Sequence, residues 1–471
     1  MPDTAYSLSA DANATIETRW RRIVTPIPAP GAVELMAALE TCESRAMHGQ
    51  LPVEWDRAED FQVFDRHGNA WIDFTSSIFV ANAGHANPRI KAALLHEIEN
   101  GAWHAYTYVT AVRARYLKRL VDAAPAPLTK AWLASSGSEA TECGLRLMRL
   151  YAQAKGKRRP GILCWNGAYH GRTMGAASLS GSPASRAWMG FDPPHVFRLD
   201  FPFPWTLEGR GGAEQAKADI ARLEAEGVDP AQDLGGLLME SYQGWAAAFY
   251  PQDYVRTFAD WARAHDVLVG FDDIQAGFAR TGKMFAYEHY GVEADVLCLG
   301  KGISSSLPLS ATLARADVMD LFGVGTMSAT HSAHPLSCAA ALANLEEIER
   351  LDLPREAARR GALLFDRLEG LRRRFPDRVS HVLGRGLIAA VLLKDPVTGA
   401  PDGATASAAC RNALRNGLIL VHTGRESIKI GPPLTIADDA LMEGLDVLEA
   451  ALAEAVAANA ILDGAILDGA R

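Results

Sequence analysis

The sequence is poor in cysteine, has no surplus of positive charge and contains no long apolar run. Each shortage removes a class of protein. Six cysteines (Cys42, Cys143, Cys164, Cys298, Cys338, Cys410) are scattered through 471 residues without a CxxC pair. That spacing argues against a disulfide scaffold or a structural zinc module; buried, reduced thiols are the expectation. The formal charge is −9 and the sequence pI about 5.8, which makes nucleic acid and anionic membranes poor partners. No stretch approaches the roughly 20 consecutive apolar residues that span a bilayer. The opening residues, MPDTAYSLSADANATIETRWRR, hold no continuous apolar segment of the kind a secretory leader uses. The expected location is the cytoplasm.

What is present is core-forming material: 48% hydrophobic and 22% charged residues, enough for one large domain with a smaller companion. Residues 1–35, polar and then proline-rich (TPIPAPG), read as an extended arm. FQVFDRHGNAWIDF alternates across Gly68-Asn69 and reads as a β-hairpin over Phe61–Phe74. HANPRIKAALLHEIENG places Pro88 in the first turn of a helix and Gly101 just past its end. Between about 130 and 310, short apolar runs (KAWLAS, GILCWN, LGGLLMES, VLVGFDD, ADVLCLG) alternate with helical segments, the pattern of a parallel sheet covered by helices. Beyond about 345 the pattern becomes a long amphipathic helix (LPREAARRGALLFDRLEGLRRRF), a strand (GRGLIAAVLL) and a last helix with Thr435 as expected N-cap. The closing repeat of AILDG reads as a frayed extension. The expected division is an arm and part of a small domain over 1–75, a large domain over 76–343, and a C-terminal small domain over 344–471.

One lysine stands out. In DVLCLGKGISSSLPLSA, Lys301 sits between two glycines at the end of an apolar run. Many strand-end lysines simply reach water. A desolvated one instead loses its proton readily and attacks carbonyls. Its neighbours in sequence favour the second reading. VLVGFDD ends on Asp272, 29 residues before Lys301; a carboxylate there can hold a protonated pyridine nitrogen. SSGSEATECGLRLMRL is a Ser/Gly turn opening a helix, an anion site through the amides of Gly137 and Ser138, or a plain N-cap with Glu139 and Glu142 in the first turn. Tyr169, in GAYHGRT, is either a ring-stacking aromatic or ordinary core. A ligand needing a phosphate cradle, a stacking ring, a pyridinium partner and a Schiff-base lysine is pyridoxal 5′-phosphate.

The set SGSEATE, AYHGRT, ESYQG, FDDIQAGFARTGKMFAYEHYGVEADVLCLGKG, THSAHPLSCAAALA and GPPLTI resembles the class III aminotransferases of fold type I, over about residues 60 to 455. The resemblance implies an α/β fold: a large domain with a mostly parallel seven-stranded sheet sandwiched by helices, plus a smaller α+β domain from both chain ends. It also implies roles. Lys301 carries the cofactor and shuttles a proton, and Asp272 partners the pyridine nitrogen. Ser136, Gly137 and Ser138 form the phosphate loop, Tyr169 stacks on the ring with His170 beside it, Gln275 lies by the phenolic oxygen, and Glu240 matches the glutamate of the family's EPVQG. Thr330 matches a threonine that family members donate to the neighbouring subunit's phosphate, which implies a homodimer with active sites at the interface. The expected substrates are a small-molecule amine and a carbonyl compound. A lyase that eliminates phosphate or ammonia and an epimerase share these motifs, and a non-catalytic cofactor-binding regulator is a remote alternative.

Two departures bear on substrate. Where 2-oxoglutarate-using members carry an arginine three residues before PPL, ESIKIGPPL has Lys429, a point charge instead of a two-pronged fork. Where 4-aminobutyrate- and ornithine-type members have a glutamate after the glycine, ESYQGW has Trp245, which walls the pocket or packs elsewhere. Arg425 nearby replaces the missing fork or lies on the surface. Phe79 and Tyr108 are further candidates for the substrate entrance or are core aromatics. A donor or acceptor other than the standard 4-aminobutyrate/2-oxoglutarate pair is expected: an ω-amine, an amino sugar, or a phosphorylated or phosphonylated amine, with pyruvate or alanine as second substrate. His331 and His334 in THSAHPLS lack a carboxylate at ligand spacing, so no metal is expected.

Overall fold

A computed structural model describes residues 15–469, with side chains to Ala458. The chain divides into two compact units. One comprises residues 88–244 and 248–354; the other comprises 1–87, 245–247 and 355–471.

The first unit is built on a seven-stranded sheet. In chain order its strands are β1 (Lys130–Ala134), β2 (Gly161–Trp165), β3 (Val196–Leu199), β4 (Leu234–Glu240), β5 (Leu268–Asp272), β6 (Val296–Leu299) and β7 (Ser310–Ala314). They lie side by side as β1-β7-β6-β5-β4-β2-β3. Only β7 runs against its neighbours, so the sheet is mostly parallel, as expected. Residues of β4, β5 and β6 are buried throughout, which is why each reads as a continuous apolar run. Two strands escaped the sequence reading. The edge strand β3 (VFRL) is only half-buried and carries Arg198, while β7 (SATLA) is made of small residues without an aromatic or a long apolar run.

The helix Gly137–Ala154 packs on this sheet unusually closely, because glycines face it. A methyl added at Gly236 would lie 2.5 Å from the Met148 sulfur, and one at Gly235 would lie 2.3 Å from the Met148 carbonyl oxygen. The first neighbour is a flexible side chain; the second is backbone and cannot yield.

The second unit holds two sheets. Ile16–Glu17, Arg22–Ile23, Ala70–Asp73, Gln62–Phe64 and Arg57–Glu59 lie in that order, with Leu418–Ile419 pairing in parallel on Ala70–Asp73. The hairpin at Gly68-Asn69 forms as expected, with Phe64 opposite Ala70 and the Asp65 carboxylate accepting from the Asn69 N–H at 2.8 Å. The other sheet, Val379–Arg385, Ile388–Leu393, Ser427–Ile430 and Val421–His422, is antiparallel throughout.

Three expectations need correction or restriction. The stretch 1–35 is not all extended arm: Pro30–Cys42 is a helix with Pro30 in its first turn, where proline's missing N–H costs nothing; residues 1–14 lie outside the described residues. Thr435 is not an N-cap, because the last helix is Asp438–Gly469 and the Thr435 hydroxyl is taken by Asp60. Both AILDG copies fall where side chains lie outside the described residues. Of the six cysteines, all unbridged, five are buried and Cys42 is exposed.

Gly235→Ala is expected to lower the thermal midpoint, costing about 1–3 kcal/mol of overpacking. Gly49→Ala, where nothing lies within 4 Å of the added methyl, is the control that leaves it unchanged. Equal midpoints in a melting experiment would refute the close-packing account.

Candidate active site

Parallel strands that end together leave a crevice beyond their carboxyl ends, and the chemistry-bearing residues of the first unit gather there. Asp272 ends β5 in register with Glu240 on β4 and Cys298 on β6. Lys301 follows three residues beyond Cys298, opening a short 3-10 turn.

Close approach explains the glycines around Lys301. A methyl on Gly300 would meet the Ile274 side chain at 3.1 Å and the Gly137 Cα at 3.7 Å, so the lysine loop abuts the Ser/Gly turn after β1. Lys301 itself has φ +45°, a left-handed conformation rare for a residue with a side chain. The loop is held from behind by Asn344, fully buried, whose amide donates to the carbonyls of Gly302 at 2.9 Å and Ile303 at 3.1 Å.

Lys301 is half-buried. Burial pulls its pKa below the ordinary 10.5, with Asp272 and Glu240 acting in the opposite direction. Asp272 is buried; one oxygen accepts from the Ile274 N–H at 3.0 Å and the other meets His170 Nδ1 at 2.7 Å. Burial alone depresses the His170 pKa, but the hydrogen bond and charge of Asp272, with Glu240 behind, leave it above 6.5. The other ring nitrogen, Nε2, is buried without a hydrogen-bond partner. Burial pushes Glu240 up to about 7; His170 and the N–H groups of Gly244 and Tyr169 pull it down, while Asp272 pushes it further up. Asp273, buried and bonded to the Ser241 hydroxyl and the Ala286 N–H, is also raised by burial, to about 7.

The turn after β1 is an N-cap and an open helix start together. Ser136 and Glu139 form a capping box. A methyl on Gly137 would press on Ile274 at 3.0 Å. Glu142 is not a helix-start anion but a clamp: its carboxylate accepts from the Thr173 hydroxyl at 2.6 Å and the Gly175 N–H at 2.8 Å, fixing the loop that carries Tyr169 and His170. Ser138 Oγ accepts from the Arg172 N–H at 3.2 Å. Tyr169 is 52% exposed and so is not a core residue. Gln275 lies near Glu240, since a methyl on the intervening Gly244 would come within 3.7 Å of the first and 2.9 Å of the second.

Lys301, Asp272, His170, Glu240, Gln275, Tyr169 and the Ser136–Ser138 turn are thus assembled at one sheet edge. Thr330 and Tyr108 stand apart, both exposed. The Thr330 carbonyl meets His104 Nε2 at 2.9 Å, and Tyr106 meets Ser328 at 3.2 Å, tying the two segments together. His104 also packs edge-on against His331 and His334, yet among the described residues no His/Cys/Asp/Glu group is arranged to hold a metal.

In the second unit, Lys429 is 3% exposed, with its ammonium 4.5 Å from the Phe79 ring centroid. The Arg425 guanidinium lies 3.8 Å over the Trp245 ring, with Glu426 at 3.4 Å. Arg425 is therefore neither an isolated surface arginine nor an unengaged fork.

Comparison with known proteins identifies the family. The sequence model for class-III aminotransferases matches residues 44–452. The chain belongs to this family. It is 33% identical to a 4-aminobutyrate aminotransferase of Mycobacterium leprae, covering 92% of this chain and 98% of that one. It is 30% identical to an alanine/serine racemase of Pyrococcus horikoshii, covering 96% and 97%. Among solved structures, an amine transaminase from an uncultivated Pseudomonas species, in a PLP-bound form, superimposes with TM-score 0.79 at 29% identity over 86% of this chain and 96% of that one. The protein is a fold type I aminotransferase that uses pyridoxal phosphate. The aminotransferase's own residues fit that group: a half-dry amine, an anchored carboxylate, an orphaned buried imidazole nitrogen and a Ser/Gly turn that opens a helix beside them.

Asn344 and His104 were not found from sequence. A signal for Asn344 exists: it is the polar interruption in the apolar helix run PLSCAAALANL.

Glu240 ionises near 7 in the folded protein and near 4.5 unfolded, so between these values the unfolded chain loses its proton first. Rising pH then favours unfolding. From pH 5 to 8 the cofactor-free wild type is expected to lose stability relative to Glu240→Gln, by on the order of 3 kcal/mol. Melting curves that run parallel across this range would contradict the assignment.

Proposed function

We propose that this aminotransferase holds its cofactor on Lys301 and works on a substrate pair other than 4-aminobutyrate and 2-oxoglutarate. The observation that carries the first part is the half-dry Lys301 amine, pulled below its ordinary pKa at the sheet edge where Asp272 ends. Bound pyridoxal phosphate supplies a carbonyl that amines attack and an electron sink for a carbanion beside it.

The chain's residues do the rest. Lys301, more often neutral than a solvated lysine, is the nucleophile and then the base that moves a proton to and from the substrate carbon. Asp272 would keep the pyridine nitrogen protonated, and His170 fixes the carboxylate's orientation. The Ser136–Gly137–Ser138 turn receives the phosphate at a helix N-terminus. Tyr169 would cover the ring, with Gln275 and Glu240 beside it. Thr330 would hold the phosphate of the partner subunit in a homodimer, a reading supported by exposed Trp103, Tyr106, Tyr108 and Val109 close to it in the fold. Absence of any described helix able to cross a membrane accords with action in the cytoplasm.

Substrate choice rests on Phe79, Tyr108, Trp245, Arg425 and Lys429. Lys429 offers a point charge, and Arg425 is stacked on Trp245 beside Glu426, so neither is a bare carboxylate fork. That arrangement suits an ω-amine, an amino sugar or a phosphonylated amine, with pyruvate or alanine completing the cycle. A racemase reading has one observation behind it, the similarity to the Pyrococcus enzyme.

Mixing the enzyme with amine alone is expected to bleach the cofactor's absorbance and leave its amine form; a racemase would regain the starting spectrum. Lys301→Ala is expected to lose about 10²–10⁴-fold or more in turnover. Borohydride should fix the label on Lys301 in a peptide map. Glutamate emerging as the best donor by a wide margin would overturn the substrate proposal.

A further inference from the structure

The turn that carries Lys301 is strained at both ends. It opens with the 3-10 segment Lys301–Ile303 and runs on to Ser305. Lys301 and Ser305 both have left-handed backbone angles, with φ of +45° and +52°. Neither has a glycine's freedom, so the turn persists only where its surroundings hold it. Gly302, Ile303 and Ser304, between them, are buried, and their backbone carbonyls need partners other than water.

One side chain meets most of that need. Asn344 is fully buried in the helix Pro335–Arg350, where Ala341, Leu345 and Ile348 are fully buried too. Its amide nitrogen donates to the Gly302 and Ile303 carbonyls, and its amide oxygen accepts from the Ser305 hydroxyl at 2.6 Å. Carbonyls only accept, so they fix which way the amide faces and leave its oxygen to Ser305. Both hydrogens and the oxygen of Asn344 are thus taken up by one five-residue turn. The amide is set in a packed helix, and the turn closes on it.

We propose that Asn344 is a positioning residue for the amine of Lys301: its three bonds hold the turn in the left-handed form that keeps this amine half-dry beyond the strand ends of Asp272 and Glu240. This rests on the reading that Lys301 bonds to the cofactor. Without those bonds Lys301 and Ser305 relax towards ordinary negative φ, which re-aims the root of the lysine side chain and lets its amine reach water. Hydration favours the ammonium, which cannot attack an aldehyde. Asp272 and Glu240 already favour that charged form, and burial is what opposes them.

The test uses the cofactor-loaded enzyme and borohydride, which fixes cofactor bonded to a lysine and reduces unbonded cofactor to its alcohol. The share of bound cofactor fixed on Lys301 is read by peptide mapping as a function of pH. A neutral amine bonds and an ammonium does not. Asn344→Ala is therefore expected to lower that share in the acid range and to move its midpoint to higher pH. Turnover is expected to fall about 10–100-fold through kcat, with the KM for the amine little changed. Ser305→Ala removes one of the three bonds and is expected to move the midpoint the same way, by less. Ile348→Ala hollows the same helix without removing any of them; it lowers the thermal midpoint and leaves the borohydride midpoint at the wild-type pH. Label elsewhere than Lys301 in the wild type would overturn the Lys301 reading, and the proposal with it. Label on Lys301 with an unmoved midpoint in Asn344→Ala would overturn the role of Asn344 alone. Should that variant not fold, an unmoved midpoint in Ser305→Ala decides the same way. An equal shift in Ile348→Ala would reduce Asn344 to general packing and also overturn the proposal.

Discussion

The site depends on one constraint: an amine held partly out of water beside carboxylates that are themselves buried. Desolvation favours the neutral form of Lys301, while Asp272 and Glu240 favour the charged one, and the former prevails. Each surrounding device serves that balance. Asn344 fixes the lysine loop by its carbonyls, leaving the amine unencumbered. His170 spends one nitrogen on Asp272. Gly300 and Gly137 let two loops close on the Ile274 side chain, where an added methyl on either would crowd it.

The parallel sheet makes this possible. Three neighbouring strands end at Glu240, Asp272 and just short of Lys301, so three groups far apart in sequence share one edge. Helix Gly137–Ala154 is seated on glycines of the sheet, which sets its amino end at the same edge. Glu142, inside that helix, then carries the Tyr169 loop. The fold supplies position, and burial supplies reactivity.

Much of this was legible in the residues, for physical reasons. Buried central strands advertise themselves as unbroken apolar runs, and the lysine, aspartate and glycine turn stand at their ends. The strands Val196–Leu199 and Ser310–Ala314 did not, because one is a half-wet edge and the other is made of small residues. The proline-rich TPIPAPG was read as part of an extended arm, although Pro30 in a first turn starts a helix. Thr435 looked like a cap until Asp60, 375 residues away in sequence, claimed its hydroxyl. Contacts of that separation leave no local signature. The same holds for the stack of Arg425 on Trp245 and for the left-handed backbone at Ser76–Phe79, where neither Ile78 nor Phe79 has any preference for positive φ.

The two elevated carboxyl groups also alter how the molecule carries charge. The formal count of −9 treats every acid as ionised. Burial raises Glu240 and Asp273 to about 7, so both hold their protons far more readily than that count assumes. Inside the sheet edge there is accordingly a small store of exchangeable hydrogen ions. Any event that changes the local field, above all the arrival of a phosphorylated ring, draws on it, and the heat of that event will vary with the ionisation enthalpy of the buffer.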